Sequence, residues 1–99
     1  KTVFSQDFII SQGESGDYNF SIWNKTNINS ENGKLKFYII NLANNEQKIG
    51  EINFQSSWNK FEANINLAPG DYRLKIMIED STRQKIDVLF DDVGLKKVE

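Results

Sequence analysis

The chain has 99 residues, a formal net charge of −2 and neither histidine nor cysteine; its 38% hydrophobic, 12% aromatic and 26% charged residues are the proportions of a globular domain rather than a disordered segment. A near-neutral balance argues against general polyanion binding, so nucleic acid is not an expected partner, and no apolar run approaches the roughly 20 residues that cross a bilayer as a helix. Without His or Cys, the usual general bases, thiol nucleophiles and zinc or copper ligands are missing, which leaves only hard cations bound through oxygen.

At this length one core is expected, so residues 1–99 read as a single β-sandwich domain. A start at Lys1 rather than Met suggests a piece of a longer protein. Period-two alternation of apolar and polar residues, which places successive side chains on opposite faces of a strand, is the dominant signal. Near the start, Phe4, Phe8 and Ile10 share one face while Val3 and Ile9 occupy the other, so this strand is expected to be covered on both sides. Tyr18, Phe20 and Ile22 alternate with Asn19, Ser21 and Trp23. In "LKFYIINL", Leu35, Phe37 and Ile39 oppose Tyr38, Ile40 and Leu42, and either set could face inward. The signal weakens over residues 46 to 54, where Gly50 suggests a bulge. Phe61, Ala63, Ile65 and Leu67 alternate with Glu62, Asn64 and Asn66; after the turn "APGD", Tyr72, Leu74, Ile76 and Ile78 do the same, and these two strands read as a hairpin. A final apolar run, "VLFDDVGL", begins at Val88. Turn-forming stretches rich in Gly, Asn, Asp and Ser separate the segments, and none encodes a useful amphipathic helix. Seven or eight short strands in this pattern indicate an all-β antiparallel sandwich.

Among the side chains that could do chemistry, Trp23 stands on a polar strand face beside Asn19 and Ser21. An indole in that setting is a platform for the apolar C–H face of a sugar ring, with nearby amides to meet its hydroxyls. If Leu35, Phe37 and Ile39 are buried, Tyr38 and Lys36 lie on the same kind of surface. The alternative is that both aromatics lie beneath a loop or a neighbouring domain. Trp58, after the turn "QSS", reads as a structural plug at a sheet edge, with ligand contact as the minority reading. Asp91 and Asp92, adjacent on a strand, point to opposite faces, which is poor geometry for a paired acid and base. The triplet "NKT" at 24 to 26 fits a glycosylation acceptor but arises easily by chance in an Asn-rich chain.

From "DYNFSIW" onward the chain resembles carbohydrate-binding modules of the galactose-binding-domain-like jelly-roll type. The resemblance rests on Tyr18, Phe20, Ser21, Ile22 and Trp23 in an early strand and on Trp58 opening a later one. It continues through Gly70, Tyr72, Leu74 and Ile76 to Asp91, Asp92, Val93 and Leu95 at the end. It implies a non-catalytic module, not an enzyme, that recognises polysaccharide or a cell-surface glycan from an extracellular, cell-surface or virion-associated position. It also implies a structural calcium ion, with Asp91 and Asp92 the positions carried over as ligands. For that doublet the alternative is a metal-free strand end in which one Asp accepts backbone N–H bonds and the other faces water. The expected sugar contacts are Trp23 and Tyr38 as stacking groups, with Asn19, Lys36, Arg73 and Lys75 as polar partners. The rival expectation is a structural or protein-interaction domain of a surface, adhesin or phage tail or baseplate assembly, whose partners are neighbouring domains of the parent protein.

Overall fold

A computed structural model describes residues 1–98, the side chains of 45 and 46 excepted. Seven strands follow one another: β1 (Thr2–Ile10), β2 (Gly16–Thr26), β3 (Ser30–Asn41), β4 (Asn45–Phe54), β5 (Asn59–Leu67), β6 (Gly70–Asp80) and β7 (Val88–Lys97). They form two antiparallel sheets, β1-β6-β3-β4 and β5-β2-β7. The pairings nest: β3 with β4 lies inside β2 with β5, which lies inside β1 with β6. Such nesting is a long hairpin folded over on itself, the wrapping of a jelly roll, and here β7 is added along the free side of β2.

The core is the set of inward positions of both sheets. Phe20 and Ile22 of β2, Leu35, Phe37 and Ile39 of β3, and Leu74 and Ile76 of β6 are all buried. Phe61 of β5 stacks on Phe37 of β3 across the sandwich, with centroids 4.0 Å apart and planes within 6°. Phe4 of β1 meets the edge of Phe90 of β7 at 5.8 Å. Burial of Leu35, Phe37 and Ile39 fixes the face of β3, and Tyr38 and Lys36 therefore point outward.

Two expectations are corrected. β5 and β6 are not a hairpin: β5 pairs with β2 and β6 with β1 and β3, so the chain crosses between sheets at Ala68 and Pro69. Clean alternation on both sides of a short turn is equally consistent with a hairpin and with a sheet-to-sheet corner. The buried Tyr72 pins this corner by donating its hydroxyl to the Ala68 carbonyl at 2.7 Å, and buried Tyr18 does the same to Glu14 where β1 crosses to β2. Nor is β1 covered on both sides, for it is a sheet edge and Ile9 is 72% exposed. The weak segment at 46 to 54 is a full strand, and its register slips beside Gly50: Phe37 faces Gly50 while Tyr38 faces Lys48.

Candidate functional site

Alternation along two strands separates the sequence-derived site residues. Asn19 and Trp23 of β2 project from the outer face of the three-stranded sheet. Lys36, Tyr38, Arg73 and Lys75, on β3 and β6, project from the outer face of the four-stranded sheet, on the opposite side of the molecule. The six therefore do not converge on one ligand.

On the four-stranded face the polar groups already have partners. Arg73 holds Asp7 with two bonds, Nε to Oδ1 at 2.7 Å and Nη2 to Oδ2 at 3.2 Å. Lys36 is bonded to Glu79, and Glu51 takes both Lys48 and Lys34. Lys75 Nζ stands over the Tyr38 ring, 5.6 Å from its centroid. These pairings hold the carboxyls of Asp7, Glu51 and Glu79 below the ordinary range, chiefly through hydrogen bonds from Arg73, Lys48 and Lys36. This surface is a solvated lattice of ion pairs, each of little energetic consequence on its own.

The three-stranded face is different. Residues opposite one another in an antiparallel pair share a face, so the register reads as rows across β5, β2 and β7. Trp23 lies between Lys60 and Asp91, Ser21 between Glu62 and Gly94, and Asn19 between Asn64 and Lys96, while Asp17 faces Asn66. Ser21 and Gly94 make a low row, because an added Cβ on Gly94 would stand only 3.3 Å from Ser21 Oγ. Trp23 rises on one side of this trough. On the other, Asn19 Nδ2 donates to Asn64 Oδ1 at 3.1 Å, and Asn66 Nδ2 donates to Asp17 Oδ1 at 3.0 Å. Lys60 pairs with Glu62 at 2.7 Å and is the main cause of its lowered carboxyl pKa.

Trp58 belongs to this face as well. Lys25 of β2, two residues beyond Trp23 and so on the same side, places Nζ 5.1 Å from the Trp58 ring centroid. The two indoles are 38% and 43% exposed, Trp23 on β2 and Trp58 immediately before β5, the strand paired with β2. Beside them β2 and the start of β5 are tied together by an amide pair, Asn24 buried and Asn59 half-buried. Asn59 Nδ2 donates to the carbonyl of Asn24 at 3.1 Å and to its Oδ1 at 3.3 Å, and Asn24 and Asn59 directly follow Trp23 and Trp58. The sequence carried a signal for this placement: β5 alternation from Phe61 back through Asn59 turns Trp58 outward, in line with Lys60 and Glu62.

Asp91 lies on the same outer face opposite Trp23, at a bulge: Gly94 faces Ser21 and Asp91 faces Trp23, so Asp92 and Val93 share the place of one residue. Asp92 has φ of 52°, and its N–H donates to Asp91 Oδ1 at 2.9 Å. Calcium takes six to eight oxygens, and among the described residues no cluster of three or more acidic side chains that could hold a metal is present. The doublet alone does not make such a cage.

No protein-family model matches the chain, and no curated protein matches it.

Proposed function

We propose that the protein is a non-catalytic carbohydrate-binding module whose recognition surface is the outer face of β5, β2 and β7. The observation that carries this reading is the pair of exposed indoles, Trp23 and Trp58, on a face that also presents the amides Asn19, Asn64 and Asn66 and several charged side chains. A pyranose ring laid on an indole buries its C–H face and leaves its hydroxyls at the rim, where Asn19, Asn64 and Asp91 can exchange hydrogen bonds with them. The pairing of Asn24 with Asn59 supports the reading by holding the two strands in place before a ligand arrives, which lowers the ordering cost of binding. Lys25 must leave the Trp58 ring when a sugar stacks there, at a cost of about 0.5–1 kcal/mol for an exposed cation–π contact. Its ammonium is then free to donate to a hydroxyl.

Binding without cleavage is the better fit. A glycosidase needs a carboxyl whose pKa is raised to act as acid; on this face Glu62 is held low by Lys60. The resemblance to extracellular jelly-roll modules points the same way and suggests work at a cell surface or virion. One observation favours the rival reading of a protein-interaction domain: Leu89, Val93 and Val98 are exposed along or just beyond β7, an edge strand that a neighbouring protein would cover.

Affinity electrophoresis through gels containing soluble polysaccharides tests the proposal. Retardation of the wild-type chain is expected, with Trp23→Ala and Trp58→Ala each weakening it about tenfold, on the scale of one lost aromatic stack. Tyr38→Ala, on the far side, should bind as wild type. Loss of binding in Tyr38→Ala with both Trp variants unaffected would move the site to the other sheet. No retardation in any gel, together with a stable complex with another subunit, would favour the rival.

A further inference from the structure

We infer that the glycan-binding face continues, beyond Trp58, into a recessed subsite for a neutral pyranose ring; the inference rests on the glycan-binding reading and adds to it a place and a charge preference. A hollow of about 340 Å³ is lined there by Lys25, Thr26, Asn27, Ser56, Asp87 and Leu89. The end of β2 is its floor. Thr26 N–H donates to the Gln55 carbonyl at 2.8 Å on one side, and Asn27 N–H donates to the Asp87 carbonyl at 3.1 Å on the other. The connections leading into β5 and β7 are thereby held apart as walls.

Asn27 helps to keep that shape. Its Nδ2 donates to the Lys85 carbonyl at 2.9 Å, and its Oδ1 accepts from Asp87 N–H at 2.9 Å. The Thr26 hydroxyl proton is likewise committed, its oxygen lying 2.8 Å from the Ile28 carbonyl and 3.2 Å from that of Gln55. Beyond these two side chains the hollow offers a ligand the Asp87 carboxylate, the Ser56 hydroxyl and the Lys25 ammonium. Among the described residues the Asp87 and Ser56 side chains make no hydrogen bond; only their backbone groups do. Leu89, directly opposite Lys25 in the register and 54% exposed, supplies the hollow's apolar surface.

This set matches a hydroxylated ring with no charge of its own. A carboxylate can only accept hydrogen bonds and an ammonium can only donate them, whereas sugar hydroxyls do both. A uronic acid with its carboxylate towards Asp87, or an unacetylated amino sugar with its ammonium towards Lys25, would be repelled, whereas a neutral ring meets no repulsion in either orientation. The site is also long: from Asp17 to Asn27 the floor strand runs roughly 33 Å, so a ligand that uses both the hollow and the flat face must span several rings.

Calorimetric titration of the folded chain with neutral hexasaccharides of glucose, xylose and mannose, and with hexagalacturonate, tests the inference, using Asp87→Ala, Ser56→Ala and Trp23→Ala with melting curves as the folding control. A neutral hexasaccharide should bind, with affinity about tenfold weaker in Asp87→Ala, as for loss of a hydrogen bond to a charged group. Asp87→Ala should also narrow the preference for neutral over uronate chains. If Asp87→Ala and Ser56→Ala bind as wild type while Trp23→Ala does not, the hollow is no subsite and the flat-face reading survives. Tighter binding of hexagalacturonate than of any neutral chain overturns the charge assignment. If none of the probes binds wild type, the subsite falls together with the reading on which it rests.

Discussion

Gly50 shows how closely single positions are fitted. A Cβ built there would stand 2.5 Å from Cζ of Phe61, the ring that stacks on Phe37 and joins the two sheets. The Gly50→Ala variant is therefore expected to lose about 1–3 kcal/mol, the usual cost of overpacking a filled core, measurable by urea denaturation. An unchanged midpoint would mean that the Phe61 ring can shift freely. At this scale much was legible. Tyr18, Phe20 and Ile22 were assigned to the core from alternation alone, and Gly50 to a bulge. Trp58 does stand at a sheet edge, just ahead of β5, but at 43% exposed it is not the plug expected there. The partners of Arg73 and Lys36 could not be read at all, since Asp7 and Glu79 lie far from them in sequence and meet them only across strands.

Among the elements, β7 carries the feature that most invited a chemical reading. The doublet acts on the backbone: the Asp91 carboxylate accepts from Asp92 N–H, and the Asp92 main chain takes the left-handed conformation that lets the bulge form. Asp is among the few side chains that tolerate this conformation. Melting should accordingly be insensitive to calcium or chelator and nearly unchanged in Asp92→Gly, while Asp92→Val should lose about 1–2 kcal/mol. A calcium-dependent rise in melting temperature that vanishes in Asp92→Gly would instead establish a metal site. β5 and β6 mark the limit of periodicity as a guide. Alternation says which side chains face inward, but not which sheet a strand joins. For the same reason Trp23 and Tyr38, each correctly turned outward, ended on opposite faces of the sandwich.

For the whole molecule, both outer faces carry ion-paired charges. The ion-pair lattice of the four-stranded sheet holds Asp7, Glu51 and Glu79 below the ordinary carboxylate range, and Lys60 does the same for Glu62 on the other sheet. Because their folded-state pKa values lie below those of the unfolded chain, they favour the folded state above the ordinary carboxylate range, and that contribution is lost as pH falls through the folded values. Lys36 is shifted upward, mainly by its bond to Glu79, so its contribution is present below the ordinary lysine range and lost as pH rises through its folded value. Melting temperature should fall between about pH 6 and about pH 3, and added salt should reduce the difference. A flat profile would show that these exposed pairs contribute nothing measurable. The other face carries the proposed function, and the chain reports on it directly, since its only two tryptophans, Trp23 and Trp58, both stand there. Intrinsic fluorescence during titration with a polysaccharide that retards the chain is the most direct measurement. A saturable blue shift, halved in amplitude by removing either indole, is the predicted result; confirmed binding with unaltered emission would place the ligand elsewhere and contradict it.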